Sequence, residues 1–147
     1  MKKEDKECLA TFVNVGGFKA WTLWDSGSTT TGITPTYAQV ADISVFPLSD
    51  PHVLQLGTIG SRSVVNYGTE VGVVVPGAEG TIYMDVANFD RYDMIIGTPY
   101  MRQNKVQLDF ENDQVIVNGV ATPATKVTLA DTDGRLRRYR ATDKHKE

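Results

Sequence analysis

The 147-residue sequence has a single cysteine, Cys8, so an internal disulfide is impossible and a disulfide-stapled secreted scaffold is excluded. Its two histidines, His52 and His145, lie far apart and with one cysteine make no zinc-ligand spacing, so no metal site is expected. No apolar run approaches the roughly 18 residues that a membrane helix needs. The opening stretch, Met1-Lys2-Lys3-Glu4-Asp5-Lys6-Glu7, is almost wholly charged. It does not read as a signal peptide, and residues 1–7 are expected to be a disordered tail. Positive charge is not in excess either. The 15 Lys and Arg against 18 Asp and Glu leave a net charge of -3, which weighs against nucleic acid as the main partner. Only residues 131–147 are basic, with six basic and four acidic side chains, and a solvated tail is the commoner reading of such a run. These absences point to an intracellular protein, or to a piece cut from a longer one.

What is present is ordinary for a soluble domain: 41% hydrophobic and 22% charged residues. The 13 Gly and 6 Pro are interspersed with short Val, Ile and Thr runs, which favours β structure with frequent turns. One domain is expected over residues 8–119, followed by an extension or tail over 120–147. Cys8–Val15 and Phe18–Trp24 read as a hairpin around Gly16-Gly17, delivering the chain to Asp25. Thr34-Pro35 reads as a cap and first position of a short helix through Tyr37, Val40 and Ile43. Residues 46–53, with Pro47 and Pro51, read as irregular. Strands are then expected at Val53–Leu56, Ser63–Tyr67, Val71–Val75, Thr81–Val86 and Asp93–Ile96. A helical turn opened by Pro99 and a hairpin of Val106–Phe110 with Gln114–Val117 complete the pattern.

The strongest local signal is Leu23-Trp24-Asp25-Ser26-Gly27-Ser28. Apolar residues lead into a carboxylate held at a strand end, within a loop of small residues. Gly27 lets another backbone approach closely, and Ser26 and Ser28 offer hydroxyl donors. A turn uses the same residues for structural reasons, so the tripeptide alone decides nothing. The second signal, Met94-Ile95-Ile96-Gly97, follows about 70 residues later. Between them stands Leu56-Gly57-Thr58-Ile59-Gly60-Ser61, a glycine-rich hairpin candidate.

In this order the three segments resemble the retroviral and long-terminal-repeat retrotransposon aspartic proteases, the retropepsins. The resemblance covers about residues 8–119. It implies an all-β fold, a closed β-barrel of the acid-protease type with one or two short helices, working as a homodimer. It further implies Asp25 as the catalytic carboxylate, with Ser26, Gly27 and Ser28 supporting the loop. Gly57, Thr58, Ile59 and Gly60 would form a flap over the substrate, and Leu23 and Ile95 would wall apolar subsites; plain core is the equal alternative for those two. Ser28 is expected to donate to Asp25 and favour its ionised form. Cys8–Val13 and Val115–Val117 are expected at the dimer interface. Trp24, bulkier than the family's usual aliphatic residue, departs from the pattern.

The implied activity is cleavage of peptide bonds, with a retroelement polyprotein as substrate, in the cytoplasm or a retroelement particle, without a cofactor. Two alternatives stay open: a cellular retropepsin-like protease of a ubiquitin-shuttle protein, and a non-catalytic β domain that binds peptide or nucleic acid. A serine hydrolase fits worse, because no Gly-X-Ser-X-Gly elbow surrounds Ser26 or Ser28.

Overall fold

The computed structural model describes residues 7–55 and 62–128. Eleven strands and two short helices follow one another: β1 (Glu7–Val15), β2 (Phe18–Trp24), β3 (Gly32–Ile33), α1 (Pro35–Val40), β4 (Phe46–Gln55), β5 (Arg62–Val75), β6 (Ala78–Val86), β7 (Met94–Ile96), α2 (Thr98–Gln103), β8 (Gln107–Asp109), β9 (Gln114–Val117), β10 (Val120–Pro123) and β11 (Thr125–Thr128). The all-β expectation with one or two helices holds. Eight strands form one sheet in the order β11-β1-β2-β7-β3-β6-β5-β4, and β10-β9-β8 form a second. β1 also pairs with β5 at Asn14–Val74 and Val15–Val73, which bends the large sheet back on itself.

The hairpins follow local chemistry. Gly16 and Gly17 both take positive φ in the β1–β2 turn, which side chains resist. α1 starts where expected: the Thr34 hydroxyl accepts the Tyr37 amide, and Pro35 supplies the preset φ of a first helical residue. Tyr37 is fully buried, and its hydroxyl shares its proton between the Val15 and Phe18 carbonyls. Burial first, then the nearby charge of Asp93, hold that phenol above its ordinary range.

Three regions differ from expectation. Residues 46–53 are not irregular: they lie in β4, which pairs with β5 but shifts register between Pro47 and His52. The prolines are tolerated because β4 ends the sheet, where a missing donor costs least. β5 runs unbroken through Gly68, because β6 pairs with it from Tyr67 to Val75. Residues 120–128, which read as the start of an extension, form β10 and β11 and join the two sheets. Their apolar content is low because their side chains are mostly exposed, so the pattern carried little signal. β11 covers the start of β1, Glu7–Ala10, so Cys8–Ala10 are not an open edge; Val115 and Val117 are buried core, not exposed interface.

The core has two parts. The larger cluster packs Val13, Trp24, Ile33, Tyr37, Met94 and Ile96 with both helices. The smaller one gathers Ala10, Trp21, Leu23, Val65, Phe89 and Ile95 on the other side of the same strands. Alternation along β2 and β7 divides their side chains between the two.

Candidate active site

β7 is the strand that builds the site. It runs parallel to β2, with Leu23 opposite Ile95 and Trp24 opposite Ile96, and antiparallel to β3, with Gly32 opposite Ile95. The loop 25–31 therefore leaves β7 on one side and returns to it on the other, crossing its end. Asp25 donates its amide to the Ile96 carbonyl at 2.9 Å, which extends the β2–β7 ladder to the carboxylate itself. The Gly97 amide donates to Thr31 Oγ1 at 3.2 Å, and the Thr98 amide to the Ser28 carbonyl at 3.0 Å.

Gly97 lies directly beneath this crossing. A Cβ there would collide with the Thr30 carbonyl oxygen and stand 2.7 Å from that of Ser28. Both obstacles are backbone, so neither can swing away. The apolar-apolar-glycine motif thus has a steric cause: Ile95 and Ile96 are core on opposite faces, and Gly97 is the floor of the loop.

Within the loop, the Gly27 amide donates to Asp25 Oδ1 at 2.9 Å and the Ser28 amide to the Asp25 carbonyl at 3.0 Å. Asp25 is 1% exposed and Ser28 fully buried, while Ser26 and Gly27 are exposed at the loop tip. Ser28 differs from expectation. Its hydroxyl donates to the Thr30 carbonyl at 2.7 Å, so its one proton braces the loop instead of reaching Asp25. Trp24 fits despite its size. Its Nε1 donates to Thr11 Oγ1 at 2.9 Å, and its ring packs 6.2 Å from that of Tyr100 on α2.

The structure brings Asp25, Ser26, Gly27, Ser28, Leu23 and Ile95 together around the end of β7. Leu23 and Ile95 are fully buried in the smaller cluster beneath Val65 of β5, which is the core environment set out as their alternative. The flap residues Gly57, Thr58, Ile59 and Gly60 lie outside the described residues; β4 and β5, which lead to and from them, pair up to Gln55–Arg62. An apolar hollow between α1, β5 and Val86–Asn88 includes no residue of the 25–31 loop. No helix among the described residues is long and apolar enough to cross a membrane.

Sequence reasoning missed three polar side chains. Thr31 holds the Gly97 amide. Buried Asp93 accepts the Trp21 amide at 2.8 Å, pinning the entry to β7 against β2. Asp85, also buried, accepts from Thr30, Tyr83 and His52. An acid or threonine inside an apolar strand was the available signal, but which groups it faces depends on strand order.

Comparison with known proteins agrees with this geometry. The sequence pattern of the family described as retroviral aspartyl protease matches residues 2–122. No curated protein matches this sequence. Among solved structures, the retroviral protease-like domain of Ddi1 from Leishmania major is similar at a TM-score of 0.60 and 12% identity, over 80% of this chain and 90% of that one. EIAV protease complexed with the inhibitor HBY-793 is similar at a TM-score of 0.54 and 17% identity, over 69% of this chain and 91% of that one. Identities this low bear on the fold.

Proposed function

The chain belongs to the retroviral aspartyl protease family, and from that premise we propose that it is an aspartic endopeptidase active as a homodimer. One observation carries the reading. The sequence holds a single Asp-Ser-Gly loop, while aspartic proteolysis uses two carboxylates. Asp131-Thr132-Asp133-Gly134 is no second copy, since Asp131-Thr132 is followed by an acid and not by glycine. The second Asp25 therefore comes from an identical chain across a two-fold axis. The exposed loop tip, Ser26 and Gly27, supports this, because it is the part of the loop that a partner and a peptide could reach.

Two carboxylates held close together cannot both ionise easily, so the pair keeps one proton and titrates as a unit. The ionised Asp25 takes a proton from a water, which attacks the peptide carbonyl. The protonated Asp25 donates to the carbonyl oxygen as the tetrahedral intermediate forms. Ser26 ties the two loops together, and the Gly27 carbonyl receives the substrate backbone. The segment from Gly57 to Gly60 closes over the peptide. Leu23 and Ile95 serve as subsite walls once the β5 side chains above them move aside. The substrate is a retroelement polyprotein, processed inside the cell. A cellular protease of the Ddi1 kind is the second reading, favoured by the larger share of the chain that the Ddi1 domain matches.

The test is cleavage of a peptide library at acidic pH, alongside sedimentation to read oligomeric state. Activity should follow the dimer fraction, yield to statine-type inhibitors, and fall by a factor of about 10³ or more in Asp25→Asn. An Asp25→Asn protein that still cleaves would overturn the assignment.

A further inference from the structure

Asp85 has no part in the chemistry proposed above, yet it is a heavily engaged carboxylate beside the loop. It is 2% exposed and gathers donors from three parts of the fold. Tyr83 donates to Oδ1 at 2.7 Å. Thr30 Oγ1, in the 25–31 loop, donates to Oδ2 at 3.2 Å. His52 Nε2, on β4, lies 3.1 Å from the same oxygen.

The arrangement crosses a whole strand. β4 and β6 lie on either side of β5, so the His52–Asp85 contact reaches over β5. Gly68 of β5 stands opposite Asp85 in register, and a Cβ there would meet the Tyr83 ring at 2.6 Å. The missing side chain leaves room for the Tyr83 ring over Gly68, where its hydroxyl meets Asp85 two residues further along β6. Thr30, at the other end, is the residue whose carbonyl receives the Ser28 hydroxyl and roofs Gly97. Besides its ladder to β5, interrupted between Pro47 and His52, the packing of Leu48 on the smaller core cluster and the Phe46–Tyr83 ring contact, β4 thus has a polar bridge that reaches the 25–31 loop.

We propose that His52, Asp85 and Thr30 form a latch that holds β4 against the 25–31 loop and so braces the loop from outside. The inference rests on the protease reading only in taking the 25–31 loop as the one that carries the catalytic carboxylate. His52 and Asp85 are positioning residues, since neither is assigned a contact with the reacting atoms.

The latch is sensitive to pH. The groups acting on His52 are Asp85, with Tyr83 behind it on β6, and Asp50 on β4; its register partner on β5, Val65, is uncharged. The hydrogen bond to Asp85 raises the imidazole pKa above 6.5; partial desolvation opposes it, and the Asp85 charge and Asp50 add to it. A raised folded-state pKa means the contribution is complete below the unfolded value and lost as pH rises through the folded one. The latch is closed in acid and loosens as pH rises through the raised imidazole value.

Hydrogen–deuterium exchange of the full chain, read on peptides from residues 46–55 between about pH 5 and 8.5 and corrected for intrinsic rates, tests this directly. The wild type should lose roughly two- to fivefold protection on β4 across that range. His52→Gln, a neutral donor at every pH, should abolish the dependence, and Asp85→Asn should do the same. Wild-type exchange that ignores pH, or a His52→Gln protein that keeps the wild-type dependence, would overturn the latch whatever the cleavage assays give. Cleavage surviving Asp25→Asn would instead remove the protease reading and leave the exchange result standing.

Discussion

Around Asp25, the 25–31 loop is tied by backbone to its neighbours: Asp25 to Ile96, Ser28 to Thr98, Gly97 to Thr31. Along the β4–β5 arm the described ties are a ladder with a register shift, the polar bridge through His52, the Phe46–Tyr83 ring contact and Leu48 on the smaller core cluster, and Phe46, Val53, Val64 and Tyr67 are exposed. The base of the loop is buried and over-determined, with Ser26 and Gly27 exposed at its tip, whereas the arm presents apolar side chains to solvent and β4 pairs in a ladder with β5 alone. The proposed protease reading asks for that division. Carboxylates must be held in one geometry, while the covering element must open to admit a peptide.

Four substitutions measure that contrast, each read by urea or thermal unfolding. Gly97→Ala should be the most damaging, because its Cβ meets backbone oxygens of Ser28 and Thr30; a loss of about 3 kcal/mol is expected, at the upper end for overpacking. A tolerated alanine would show that the loop can move off β7, and the contrast would fail. Thr31→Val removes the acceptor of a buried Gly97 amide and should cost about 2 kcal/mol. Ser28→Ala should cost about 1 kcal/mol by removing the brace to the Thr30 carbonyl. It should leave the acidic limb of a pH–rate profile in place; a donor to Asp25 would have kept its pKa low, so an upward shift on removal would show that Ser28 turns to Asp25 in the active assembly. Val64→Thr, at a side chain 64% exposed on the arm, should stay within about 0.5 kcal/mol. A larger loss there would mean that the arm packs against something beyond this chain.

Much of the loop was legible because its logic is local. An apolar strand, an acid, a glycine and small hydroxyl residues are contiguous, and Gly97 follows its two apolar neighbours directly. The hairpin at Gly16-Gly17 and the cap at Thr34 were legible for the same reason. The arm was harder. Two prolines in 46–53 argue locally for irregular chain, and only pairing with β5 at a sheet end makes that segment a strand. β10 and β11 were missed because strands with mostly exposed side chains lack the alternation that marks a half-buried one. Ser28 was assigned to Asp25 because they are neighbours in sequence. The folded loop turns its hydroxyl to Thr30 instead.

By itself the sequence determined that Asp25 sits at a strand end in a small-residue loop, once per chain, ahead of an apolar-apolar-glycine strand. Those are properties of contiguous residues and of counting. Tertiary structure decided what each polar group faces. Asp85, Thr30 and His52 are separated by 22 to 55 positions, and no periodicity links them. They meet because β3 pairs with β6 while β5 lies between β6 and β4. Hydrogen bonds reach only about 3 Å, so which residues share one is settled by strand order and register, which the sequence does not display.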